Sequence, residues 1–115
     1  MVKNVTEFSV PDVEIPNNGQ IEQFEITEIA TGELQEFVDP DIIKESWENA
    51  DLTDLFINVT VVSKKFGKIT DLIQIPTEIN YRHKMAKIKK IYGPIAIGAK
   101  WNFIFDGKKW KIVLP

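Results

Sequence analysis

The clearest pattern in the chain is a two-residue alternation over residues 55–63. Leu55, Ile57, Val59 and Val61 fall on one side, and Phe56, Asn58, Thr60 and Val62 on the other. That period is the signature of a strand. Lys64-Lys65-Phe66-Gly67 makes a turn, and residues 68–75 return with Ile69, Ile73 and Ile75 on one face and Thr70, Leu72 and Gln74 on the other. Pro76 ends this strand. An earlier strand spans residues 20–30, with Phe24 and Ile26 opposite Glu25 and Thr27. Thr31-Gly32 is expected to break it, and residues 33–38 to continue it or pair back.

Two helices are predicted. The first covers residues 40–49: Asp39 is a good N-cap, Pro40 suits the first helical position, and acids crowd the first turns. Ile43 and Trp47 lie one turn apart and can pack together. The second helix is expected to start at a Thr77 cap and run about 15 residues. Its apolar stripe is Tyr81, Met85, Ile88 and Tyr92, and Gly93-Pro94 stops it. The chain closes with a hairpin, residues 95–105 and 108–114, around Asp106-Gly107. A two-residue turn there would set Phe103 opposite Trp110 and Trp101 opposite Ile112. Trp101, Phe103, Phe105 and Trp110 then share one face, whose default fate is core packing, above all for Phe103 and Trp110. Lys100, Asn102, Ile104, Lys109 and Lys111 occupy the other.

Residues 1–19 read as an extended arm, because Pro11 and Pro16 suit an edge segment and Asn17-Asn18-Gly19 is a turn signal. Residues 20–115 form one domain, carrying an acidic helical insertion at about 38–53.

Charge changes the picture. The net charge of −3 hides two unlike halves: residues 1–62 carry 2 Lys against 14 acids, and residues 63–115 carry 12 Lys and Arg against 3 acids. Such asymmetry points to a polyanion-binding surface beside a separate acidic region, unless the two halves simply neutralise each other in the fold. All the basic residues but Arg82 are Lys. Lysine is a point charge for a phosphate, whereas arginine is the better fork for reading bases, so low sequence specificity is expected.

Composition excludes several chemistries. The chain has no cysteine and a single histidine, His83. Disulfides, cysteine-ligated metals, thiol nucleophiles and His-pair sites are therefore ruled out. The acids Asp39, Asp41, Glu45, Glu48, Asp51 and Asp54 match no calcium-loop spacing. No nucleophile–base pair, phosphate loop or cofactor motif is visible, so the chain is read as non-enzymatic, with no cofactor and no metal. No apolar run approaches the roughly 18 residues of a membrane span. The N-terminal residues show no signal-peptide core, which predicts a cytoplasmic protein.

The order strand, strand, strand, helix, strand, strand, with tight antiparallel hairpins, resembles the OB-fold, a five-stranded Greek-key barrel with its helix between the third and fourth strands. The segment Lys87-Ile88-Lys89-Lys90-Ile91-Tyr92-Gly93, followed by Gly98 and an aromatic strand, is similar to small archaeal and viral OB-fold proteins. The rival fold for the same order is an α+β sheet with the basic helix across one face. The resemblance covers residues 20–115 and implies a protein that binds single-stranded DNA or RNA on the outer face of the second and third strands. The positions it implicates there are Phe56, Asn58, Thr60, Lys68, Thr70, Leu72 and Gln74, with Lys64, Lys65 and Phe66 in the loop between them. Lysines would neutralise phosphates and an aromatic ring would stack on a base. Lys100, Asn102, Lys109 and Lys111 either extend the same basic track or form a solvated face. The helix lysines Lys84, Lys87, Lys89 and Lys90 are read as a solubilising face, and His83 as a surface residue. The alternative function is a protein-interaction module, or an acidic mimic, acting through the N-terminal half.

Overall fold

The computed structural model describes residues 2–115; Met1 lies outside the described residues. Five antiparallel strands make one sheet in the order β3-β2-β1-β4-β5, curled into a nearly closed barrel. The strands are β1 (Ile21–Glu33), β2 (Leu55–Ser63), β3 (Gly67–Gln74), β4 (Lys100–Phe105) and β5 (Trp110–Ile112). Helices α1 (Leu34–Phe37) and α2 (Pro40–Ser46) join β1 to β2, and α3 (Lys84–Tyr92) joins β3 to β4. This is the OB-like barrel expected, with its helix between the third and fourth strands. Among the described residues no helix is long and apolar enough to cross a membrane.

β1 is the spine. It pairs with β2 along one edge and β4 along the other, and a bulge between Ile26 and Glu28 lets it bend around the barrel. Phe24, Ile26, Val59, Val61, Trp101 and Phe103 are all fully or almost fully buried in the core. Ile88 of α3 is buried in the same core, so this helix plugs the barrel rather than lying across a flat sheet. Burial of each such side chain contributes roughly 1.5–3 kcal/mol.

β1 does not stop at Thr31-Gly32. Thr31 and Gly32 stay in register with Ile57 and Phe56, so the ladder continues to Glu33. A Cβ at 32 would lie 2.6 Å from Glu36 Oε2 and 3.3 Å from the Phe37 ring, so a larger residue there would displace the carboxylate that accepts from the Glu33 N–H. The chain then turns into α1 instead of pairing back as a strand. Asp39 caps α2 as expected, its carboxylate accepting from the Asp41 N–H.

Several expectations about the second half of the chain are corrected. The third helix starts at Lys84, not after a Thr77 cap. Residues 77–83 instead form turns: Asn80 Oδ1 accepts from the Arg82 N–H, and His83 Nδ1 accepts from the Met85 N–H as the true N-cap. Tyr81 therefore leaves the apolar stripe and is exposed, while Ile88 is buried with Met85 and Tyr92 packed beside it. His83 is a half-buried cap rather than a free surface histidine.

The hairpin register also differs. Phe105 pairs with Trp110 and Phe103 with Ile112, across a four-residue loop, 106–109. The Asp106 carboxylate accepts from both the Lys108 and Lys109 N–H groups, which holds the wider loop closed. β4 begins at Lys100, not at residue 95.

Candidate functional site

The sequence places a ligand on the outer face of β2 and β3. Half of that face is covered. Phe56 is buried in a second apolar cluster with Leu34 and Ile43, and Leu72 packs against the same cluster. The Trp47 ring meets the Phe56 ring edge-on at 6.2 Å. Phe56 anchors the insertion to the barrel and offers no stacking surface. Thr60 is also buried, and its carbonyl accepts from the Thr27 hydroxyl. Asn58 is half-buried between them. Phe56 and Thr60 are thus buried within the fold, and Asn58 keeps only part of its surface open.

Lys68 and Gln74 stay exposed on the outer face. Near the β1 bulge, Lys64, Lys65 and Lys100 line a groove of about 590 Å³, together with Glu22 and Glu25. Glu25 is the register partner of Lys100, and Lys65 Nζ also lies 3.4 Å from Glu14 Oε2 of the arm. Three lysines here face three carboxylates. Asn102 is exposed on the same side of β4, in register with Gln23.

A second groove, about 720 Å³, follows the seam where β3 and β5 do not pair. Ile69, Phe105, Trp110, Ile112 and Leu114 contribute apolar surface, while Lys84, Lys108, Lys109 and Lys111 supply charge. Trp110 holds its place through rings on three sides, Phe24 at 5.2 Å, Phe105 at 5.3 Å and Phe66 at 5.1 Å between centroids. Phe66 is thus half-buried over one end of the seam, with Lys65 Nζ 5.6 Å from its ring centre. Trp101 is the fully buried indole of the pair and Trp110 the one at the surface.

Two of the seam lysines are neutralised. Lys84 Nζ donates to Asp71 Oδ1 at 2.9 Å, and Lys111 Nζ lies 3.0 Å from Asp106 Oδ2. The other oxygen of Asp71 is buried without a hydrogen-bond partner. Asp106 is held well below the usual carboxylate range, first by the Lys109 N–H, then by the Lys108 N–H, then by the Lys111 side chain. Lys108 and Lys109 are exposed and have no ion-pair partner among the described residues. The seam keeps a surplus of about two positive charges beside an aromatic wall.

The arrangement departs from the sequence reading in a specific way. Lys109 and Lys111 line the seam, which Phe66 borders through its contact with Trp110; Lys64, Lys65 and Lys100 gather elsewhere; Lys68, Gln74 and Asn102 join neither groove. Lys84, Lys108 and Trp110 were not among the expected contacts. The signal for Lys108 was its place beside Asp106-Gly107 in the hairpin turn. No such signal exists for Lys84, whose position depends on where the helix begins.

Among the described residues no group of three or more His, Asp or Glu is placed to hold a metal ion. No known protein family, curated protein or solved structure matches the chain.

Proposed function

We propose that this protein binds single-stranded nucleic acid through the β3–β5 seam, with little sequence preference. The supporting observation is the pairing of two unneutralised lysines, Lys108 and Lys109, with the half-exposed aromatic wall of Trp110 and Phe105 in one groove. Ammonium groups attract backbone phosphates, and an aromatic edge gives a base a platform that tolerates any base identity. Lysine contributes charge without bidentate base reading, which keeps specificity low.

Fluorescence anisotropy with labelled single-stranded oligonucleotides tests the reading. Binding is expected at low salt and should fall steeply as salt rises, because each phosphate contact releases condensed counterions. Absence of binding at low salt, or binding indifferent to salt, would remove the proposal.

A further inference from the structure

The arm carries apolar residues that its own chain leaves uncovered. Val5, Phe8, Val10 and Val13 are 61%, 75%, 78% and 71% exposed. Isolated surface apolar residues are ordinary, but a run of them on one extended segment marks a contact surface. The arm's root is pinned at the hairpin: the Gly19 N–H donates to the Phe105 carbonyl at 2.7 Å, and Asn18 lies against Gly107. Glu14 then meets Lys65, in the turn after β2, beside the bulge groove. Beyond that ion pair the chain leaves the barrel. The radius of gyration is 17.2 Å, against about 13 Å for a compact chain of this length. No described residue of the arm lines its own seam.

The seam presents the complementary surface. β3 and β5 each have one edge unpaired, and such an edge is a template for an added strand. The projecting segment carries Glu7 and Asp12 against Lys3, a net charge of −1, and the seam has its two surplus positive charges at Lys108 and Lys109. Residues 2–13 extend to about 40 Å, longer than the roughly 26 Å of β3. Pro11 lacks an N–H, so the arm pairs as an edge strand along one wall of the seam rather than bridging both.

We infer that the arm of one copy seats in the β3–β5 seam of a second copy, and that reciprocal exchange closes a two-fold dimer. Phe8 and Val10 enter the apolar groove, while Glu7 and Asp12 meet Lys108 and Lys109. The inference rests on charge and open edges, and it holds whether or not nucleic acid binds. If both are right, the arm and the polynucleotide compete for one groove.

Sedimentation equilibrium of the full chain across the micromolar range, without nucleic acid, is the test. The wild type should sediment as a dimer that dissociates on dilution. F8S/V10S changes only exposed residues and should weaken association roughly tenfold or more, as loss of interface anchors does. K108E/K109E should weaken it similarly, and adding E7K/D12K to that variant should restore it. A wild type that stays monomeric at the highest concentration overturns the inference. So does association that survives F8S/V10S, or that loses to F8S/V10S but ignores K108E/K109E, since the arm would then dock elsewhere.

Discussion

The groove beside the β1 bulge and the groove at the seam look alike in the sequence, since each gathers lysines near aromatic residues. In the fold they are opposites. At the bulge, Lys64, Lys65 and Lys100 sit among Glu14, Glu22 and Glu25, drawn there because β1 and the arm bring the acidic half of the chain alongside. At the seam, both walls come from the basic half. Asp71 and Asp106 neutralise only Lys84 and Lys111, and Lys108 and Lys109 remain free for an anion. Cations count toward binding only where the topology keeps carboxylates away from them.

Each half of this contrast can be broken separately. The largest effect is expected from Ile43→Ala, which empties the buried site that fastens the insertion over β2. Stability should fall by about 2–4 kcal/mol in urea unfolding, while oligonucleotide affinity holds for the folded protein. A gain in affinity would mean that the covered outer face is the ligand surface after all. Next, K108E/K109E should weaken oligonucleotide binding by ~2 kcal/mol, roughly thirtyfold, and flatten the log–log salt slope by about 1.4. K64E/K65E should change affinity less than about threefold, because those lysines are already partly neutralised. Equal losses from the two variants would erase the distinction between the grooves. Phe66→Leu keeps an apolar side chain against Trp110 but removes the ring, so affinity should drop by ~1 kcal/mol, with a stability loss of no more than about 1.5 kcal/mol from the lost ring pair.

The smallest effect concerns pH. The folded Asp106 carboxyl lies below its ordinary value of about 3.9. Its contribution to stability is therefore complete above that value and fades as pH falls toward the lower folded one. Asp106→Asn can still cap the loop through its side-chain oxygen but cannot ionise. Below about pH 4 the wild type should lose unfolding midpoint faster than this variant does.

Much of the fold was legible because its signals are local. The alternation over 55–63 is β2 itself, and Asp39-Pro40 marks the start of α2. The ambiguities lay where a local signal competes with a longer-range one. Thr77 is a plausible cap, but Ile79 and Tyr81 find no core to pack against, so the helix waits for His83 and the first buried turn. Asp106-Gly107 favours a two-residue turn, yet the Asp106 carboxylate captures two backbone N–H groups and widens it. That shift of two residues aligns Trp110 with Phe105 and places it at the seam. The candidate site was less legible for the same reason. Whether β3 meets β5, and which lysines face the gap, depends on barrel closure, and no short stretch of sequence encodes that. Phe56 shows the limit from the other side: alternation puts it on the outer face correctly, but only the packing of Leu34 and Ile43 reveals that this face is covered.

Amide chemical-shift mapping during titration with a short single-stranded oligonucleotide addresses the seam directly. The shifts should concentrate at Thr70, Lys84 and residues 108–112. Shifts centred on Asn58, Lys68 and Gln74, or none at low salt, would contradict a ligand in the gap between β3 and β5.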